Sequence, residues 1–158
     1  MKVRAAEPGD ATALHALMIA LNRDQGDPDD LLTVTHVERD LIQDGATIIT
    51  VAEEIDGTLI GYATGHQTYE TGHAERGLYV GDLYVAPAHR RQGVGRALLA
   101  GLARAGHLRG ARHLWLTARE GNVATHAFYR RLGARGERVF AFAVVDQDFL
   151  NLAAEQPR

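Results

Sequence analysis

The chain has 158 residues and a mass of 17.2 kDa, enough for one ordinary domain with its own core and too few for two. Its 46% hydrophobic, 23% charged and 6% aromatic residues are those of a soluble globular protein, and no apolar run nears the roughly 18 residues of a membrane span. The net charge is −3, cysteine and serine are absent and Lys2 is the only lysine, which excludes disulfides, thiolate and serine nucleophiles, thiolate metal sites and P-loops.

Lys2–Ala6 reads as a first strand. Pro8 then opens a helix whose Ala13, Leu14, Leu17, Met18 and Leu21 recur at helical spacing. The acidic stretch Gln25–Asp30 breaks it, and a second amphipathic helix is expected over Thr33–Gln43, with Val34, Val37, Leu41 and Ile42 inward. Ala46–Ile55 and Thr58–Gly65 are β-rich runs meeting at Asp56-Gly57, the signature of a two-residue hairpin turn. Gly77–Ala86 is a further strand ended by Pro87. Its aliphatic phase slips by one residue at Gly81-Asp82, the mark of a β-bulge.

From Gly93 to about His107 a helix turns Val94, Ala97, Leu98, Leu102 and Ala105 inward. His113–Ala118 follows as a strand. Asn122 is an N-cap for a short helix that Gly133 ends, Val139–Val145 reads as a last strand, and Asp148–Ala154 as a closing helical turn or two. The order β-α-α-β-β-β-α-β-α-β predicts an α/β fold with a mixed sheet, antiparallel early and parallel at the later crossovers, in a single domain over residues 1–158. Met1-Lys2-Val3-Arg4 leads into no signal-peptide core, so a cytoplasmic location is expected.

Charge is unevenly spread. Residues 1–82 carry fifteen acids and five bases, and residues 83–158 five acids and twelve bases. The first half could meet a cation and the second a polyanion, or the halves could attract each other within the chain or across a dimer. A single basic cluster without interleaved aromatics does not suit nucleic acid, and the eight histidines show no paired metal-ligand spacing. No membrane, nucleic-acid or metal partner is expected.

The most informative stretch is Leu83–Leu99, where a strand runs into a basic, glycine-bearing turn that opens a helix. Backbone N–H groups at the positive end of the helix dipole form an anion site, glycines allow close approach, and arginines add charge-assisted donors. A dinucleotide fingerprint would need a third small residue where Leu98 stands. Two elements here resemble the GCN5-related N-acetyltransferases. One is Arg90-Arg91-Gln92-Gly93-Val94-Gly95, against that family's Arg/Gln-x-x-Gly-x-Gly/Ala. The other is NVATHAFYRRLGA, with Asn122, Phe128, Tyr129 and Gly133 in the family's spacing. Within the family, LYVGDLYV and FAVVDQDFLNLAA are similar to the diamine and thialysine N-acetyltransferases, although Gly81 stands where that subgroup commonly has a glutamate.

The resemblance implies the family's fold, a mixed sheet flanked by helices and splayed at an acyl-CoA cleft, and a homodimer. It implies direct transfer of an acetyl group from acetyl-CoA to a small-molecule primary amine, a diamine or polyamine among the candidates, with no metal. A peptide N-acetyltransferase and an idle acyl-CoA-binding regulator are the rival readings. Leu83, Tyr84 and Val85 would run beside the pantetheine arm, and Arg90, Arg91, Gln92, Gly93, Val94, Gly95 and Arg96 would hold the pyrophosphate. Asn122, Thr125 and Phe128 would border the cofactor, and Tyr129 would protonate the departing thiolate. Asp82 is the best-placed candidate base, with Glu53 and Glu54 on a neighbouring strand. The acidic loop, with Asp27, Asp29 and Asp30, could attract a cationic substrate.

Overall fold

The computed structural model describes residues 1–155. They fall into two compact units, one spanning Met1–Arg119 and the other beginning at Glu120.

The first unit is built on a five-stranded sheet in sequential order: β1 (Lys2–Ala5), β2 (Thr47–Glu53), β3 (Leu59–Glu70), β4 (Glu75–Val85) and β5 (Ala111–Trp115). The first four are antiparallel neighbours, and β5 joins β4 in parallel. A parallel joint needs a crossover, supplied here by α3 (Val94–His107). The mixed α/β sheet expected from the sequence is therefore present.

The two faces of the sheet carry different helices. On β3 the odd positions face α3: a Cβ on Gly61 would lie 3.2 Å from Leu98, and one on Gly65 would lie 2.9 Å from Leu102. Small residues there let the helix sit close to the strand. The opposite face buries Tyr62, Ile49, Val51 and Tyr84 against Leu14, Met18 and Leu21 of α1 (Ala11–Gln25). Ala13 is exposed rather than inward, and Ile19, outside the expected stripe, is buried. Pro8–Asp10 forms a short 3-10 turn before α1 rather than its first turn.

The second helix begins as expected. Thr33 caps it, its hydroxyl accepting the His36 N–H at 3.2 Å. α2 (Val34–His36) then runs into a π-wound segment (Val37–Gln43), shown by the Asp44 N–H reaching the Arg39 carbonyl five residues back. Val37 is buried while Val34, Leu41 and Ile42 pack partly against the core, so the apolar set is as expected and the winding is not.

Two further expectations are corrected. The β2–β3 turn is a three-residue loop, Ile55–Gly57, because Gly57 alone takes the left-handed conformation (φ +88°) and its N–H bonds the Glu54 carbonyl. Val139–Val145 forms no strand. Its continuous run of valine, phenylalanine and alanine suits a buried strand, but among the described residues the unit beginning at Glu120 holds the helices α4 (Val123–Arg131) and α5 (Asp146–Ala154) and no strand. Phe140 and Phe142 stand exposed there.

Candidate active site

The predicted bulge exists and has a defined partner. Ala63 pairs with Leu83 and Gly65 with Val80, so between these pairs one residue on β3, Thr64, stands opposite two on β4, Gly81-Asp82. The Thr64 hydroxyl accepts the Asp82 N–H at 2.8 Å, giving a ladder-orphaned donor a partner in the interior. The bulge also turns Gly81 and Asp82 toward one face, that of Tyr62, Thr64 and His66. Burial holds the Asp82 carboxyl above its ordinary value, while the Tyr62 phenol, His66 and Thr64 offset part of that rise. The buried Tyr62 phenol is itself pushed far up, first by desolvation and then by the Asp82 charge. Glu53, the second candidate carboxylate, is held by Arg4 at 2.6 Å, and Glu54 lies 3.6 Å from His89, both away from the bulge.

Beyond the bulge, β4 parts from β5. Their parallel register runs only from Arg76 to Tyr79, and β4 continues to Val85 with no strand paired on that side among the described residues. The Ala86 N–H donates to the Ile60 carbonyl at 2.9 Å, so the alternation of the strand turns the Val85 N–H and carbonyl to that unpaired side. The Arg90 Nε–H reaches that carbonyl at 2.8 Å from the same side. This parting of β4 from β5 is the splay expected of an acyl-CoA cleft.

The turn after β4 is shaped by two left-handed residues, Arg91 (φ +66°) and Gly93 (φ +85°). Gly93 is the N-cap of α3, and no side chain caps the helix start. The first amides of a 14-residue helix are thus left to a ligand or solvent, and a Cβ on Gly93 would meet no protein atom within 4 Å. Val94 is buried beneath this start, while Arg91, Gln92 and Arg96 are exposed and Gly95 half-buried. Gln92 bonds the Ala88 carbonyl at 3.0 Å. These features suit a diphosphate: free amides, open space and cationic side chains on one turn.

Arg90 differs from its neighbours. Besides Val85 it pairs with Asp24 at 2.8 Å and lies 5.5 Å from the centroid of the Tyr84 ring. Its guanidinium ties the turn to the end of α1. The Tyr84 side chain is buried in the core, and the same alternation turns its backbone groups toward Tyr62 on β3. Leu83 is half-buried on β4.

Asp29 of the acidic loop pairs with Arg23 at 2.6 Å, and Asp27 lies 3.9 Å from Arg119. The Arg90–Asp24 and Arg119–Asp27 pairs show the acidic and basic halves of the chain attracting each other inside one unit. Asp30 is exposed.

In the second unit, Asn122 caps α4, its side-chain oxygen accepting the Thr125 N–H at 3.1 Å. Gly133 closes the helix in the left-handed conformation (φ +88°). Phe128 and Tyr129 are half-buried with ring centroids 5.1 Å apart, and burial raises the Tyr129 phenol above its ordinary value, so it is protonated at neutral pH. Among the described residues no cluster of three or more metal-ligating side chains forms, and no helix is long and apolar enough to cross a membrane.

Sequence reasoning did not single out Tyr62 and Thr64. Both stand at even positions of β3, facing the bulge, and the alternation of that strand was the signal that could have found them.

Comparison with known proteins follows the same lines. Residues 14–134 match the model of the Acetyltransferase (GNAT) family. Over 144 residues the chain is 33% identical to the aminoglycoside N(6')-acetyltransferase type 1 of Stenotrophomonas maltophilia, covering 89% of this chain and 90% of that one. Over 96 residues it is 38% identical to the streptothricin acetyltransferase of Streptomyces lavendulae, covering 61% of this chain and 46% of that protein's length. The crystal structure of an aminoglycoside acetyltransferase from an uncultured soil metagenomic sample shares the fold, with a TM-score of 0.77 over 92% of this chain and 98% of that one at 24% identity. The five-stranded mixed sheet flanked by helices is the fold of the acetyltransferase class. The chain belongs to the GNAT acetyltransferase family.

Proposed function

We propose that this protein moves the acetyl group of acetyl-CoA to a primary amine of a small molecule by direct transfer. The observation that carries the reading is the α3 start, with its unclaimed amides, left-handed Arg91 and Gly93, and open space above Gly93, following a strand end whose Val85 N–H points to the side where no strand is paired among the described residues. Such a turn holds a diphosphate. The Val85 N–H would donate to the thioester carbonyl and to the oxyanion that develops there. Tyr129 would give its proton to the departing thiolate. A phenol of pKa about 10 and a thiol of about 8.5 make that transfer slightly uphill, and burial raises the phenol further, so the acid is always charged with its proton at neutral pH.

The acceptor class is a small, multiply cationic amine. The relatives named for aminoglycosides and streptothricin support aminated antibiotics of that kind. The subgroup motif LYVGDLYV supports a diamine or polyamine, with Asp27, Asp29 and Asp30 as its attracting loop. Against the diamine reading, Gly81 replaces the subgroup's glutamate, and a Cβ there would already lie 3.0 Å from Thr64 Oγ1. Acetyl-CoA-dependent thiol release over a panel of aminoglycosides, streptothricin, diamines, polyamines and peptides tests the proposal. Turnover on a small amine with the acetylated product seen by mass is expected, and turnover on peptides alone would refute it.

A further inference from the structure

The acetyl-transfer reading leaves open where the first proton of the amine goes. An alkylammonium of pKa about 10.4 presents only about one neutral molecule in a thousand at pH 7, so an acceptor beside the bulge is useful. Resting on that reading, we propose that His66 takes this proton, with Asp82 as the carboxylate that steadies the imidazolium.

The geometry comes from β3. Tyr62, Thr64 and His66 share the face turned toward the bulge, and they grade from dry to wet: Tyr62 is 1% and Thr64 3% exposed, while His66 is open to solvent. A Cβ on Gly81 would lie 3.2 Å from His66 Nε2 and 3.5 Å from Cδ2, so the imidazole lies over the bulge in the space a side chain at 81 would claim. The missing side chain is what admits the ring. Asp82, next in the chain, feels the charge of His66, which favours its ionised form. Neither ring nitrogen of His66 is engaged in a hydrogen bond among the described residues. By contrast, His15 meets the Leu32 carbonyl, His36 the Thr33 N–H, His73 faces Glu70, and His113 faces Glu70 and Glu75. Around His66, the titratable groups are Asp82 and Tyr79 on β4 and Tyr62 on its own strand, with Thr47 opposite on β2.

The chemistry balances. The ammonium loses one proton to the imidazole, and the freed lone pair forms the N–C bond to the acetyl carbon. The C–S bond breaks, and the second proton lost from nitrogen is matched by the one that the thiolate acquires. His66, at the wet end of the row, releases its proton to water. A carboxylate in the dry end could accept a proton but would pass it on poorly, and this is why the exposed ring is assigned the step.

The test uses the full chain with acetyl-CoA and, as acceptors, kanamycin, streptothricin and spermidine. His66→Gln and His66→Ala should lower kcat/KM at pH 7 on the order of a hundredfold. The deficit should shrink as pH approaches the amine's own pKa, added imidazole should restore part of the His66→Ala rate, and calorimetric acetyl-CoA affinity should be unchanged. His73→Gln, on the same hairpin, should match the wild type. Wild-type kcat/KM and an unaltered acidic limb in the His66 variants would overturn the proposal, as would a loss that imidazole leaves untouched. If the wild type acetylates none of the three acceptors, the acetyl-transfer reading itself fails and this one with it.

Discussion

Thr64 and Asp82 face each other across β3 and β4, the threonine hydroxyl accepting the aspartate's backbone N–H at 2.8 Å at the point where the ladder skips a residue. That one bond allows an interior bulge to exist without an orphaned amide, and the bulge in turn presents Asp82 beside Tyr62 and His66. Thr64→Val keeps the shape and removes the acceptor. Leaving a buried N–H unsatisfied costs about 1–3 kcal/mol, so the denaturation midpoint should fall accordingly. Thr64→Ser should recover most of the loss, since it restores the oxygen.

Asp82 couples stability to pH in a direction that can be worked out. Its native value is raised by burial above the ordinary 3.8, so the folded state binds its proton more tightly than the unfolded chain does. Stability contributed by this group is therefore fullest below pH 3.8 and declines as pH rises through the raised native value. Asp82→Asn should be more stable than the wild type at pH 7, with the difference vanishing in acid, while its kcat falls. Thermal melts at several pH values check the first part and steady-state rates the second. A variant that is less stable at neutral pH would contradict the sign.

Gly93 offers a cleaner probe of the turn than a bulky residue would. Asparagine tolerates the left-handed conformation better than most non-glycine residues do, and a Cβ at 93 meets no protein atom within 4 Å. Gly93→Asn should fold with little loss. If the open space is where the diphosphate lies, its acetyl-CoA affinity should drop about tenfold or more, equivalent to 1.4 kcal/mol. Calorimetry reads the affinity and a melt reads the fold.

Tyr129→Phe removes one oxygen from a half-buried ring. A general acid contributes on the order of a hundredfold or more, so kcat should fall by that amount with acetyl-CoA affinity nearly unchanged. Equal activity in the two proteins would remove Tyr129 from the acid role.

Arg90 carries a separate expectation. Its guanidinium bonds the Val85 carbonyl and Asp24 together, two partners at fixed directions that a single ammonium cannot reproduce. Arg90→Lys should loosen the turn and weaken acetyl-CoA binding, while Arg91→Lys, at an exposed and unpaired position, should have the smaller effect, as calorimetry on both would show.

Much of the fold was legible in the sequence because each signal was local. The slip between Leu78-Val80 and Leu83-Val85 announced the bulge, and Asn122 and Gly133 announced both ends of α4. What escaped was non-local. Thr64 and Tyr62 matter because register sets them against Asp82; the alternation of their own strand gives their shared face but not the partner across from it. Arg90 reads as one of three similar arginines until Asp24, 66 residues away, is seen to hold it. Val139–Val145 shows the reverse failure: strand propensity alone, without ladder pairing, does not make a strand. The π-wound turn at Val37–Gln43 follows from tertiary packing that the helical spacing of Val34, Val37 and Leu41 did not reveal.

The central claim, that acetyl-CoA delivers its acetyl group to a small amine, is tested most directly by mass spectrometry of the amine after incubation with the purified protein and acetyl-CoA. The account predicts a product one acetyl group heavier, formed in step with released thiol and at a rate that collapses in Tyr129→Phe. An acceptor panel returned unmodified, with acetyl-CoA bound but never consumed, would contradict it and leave a protein that only holds the thioester.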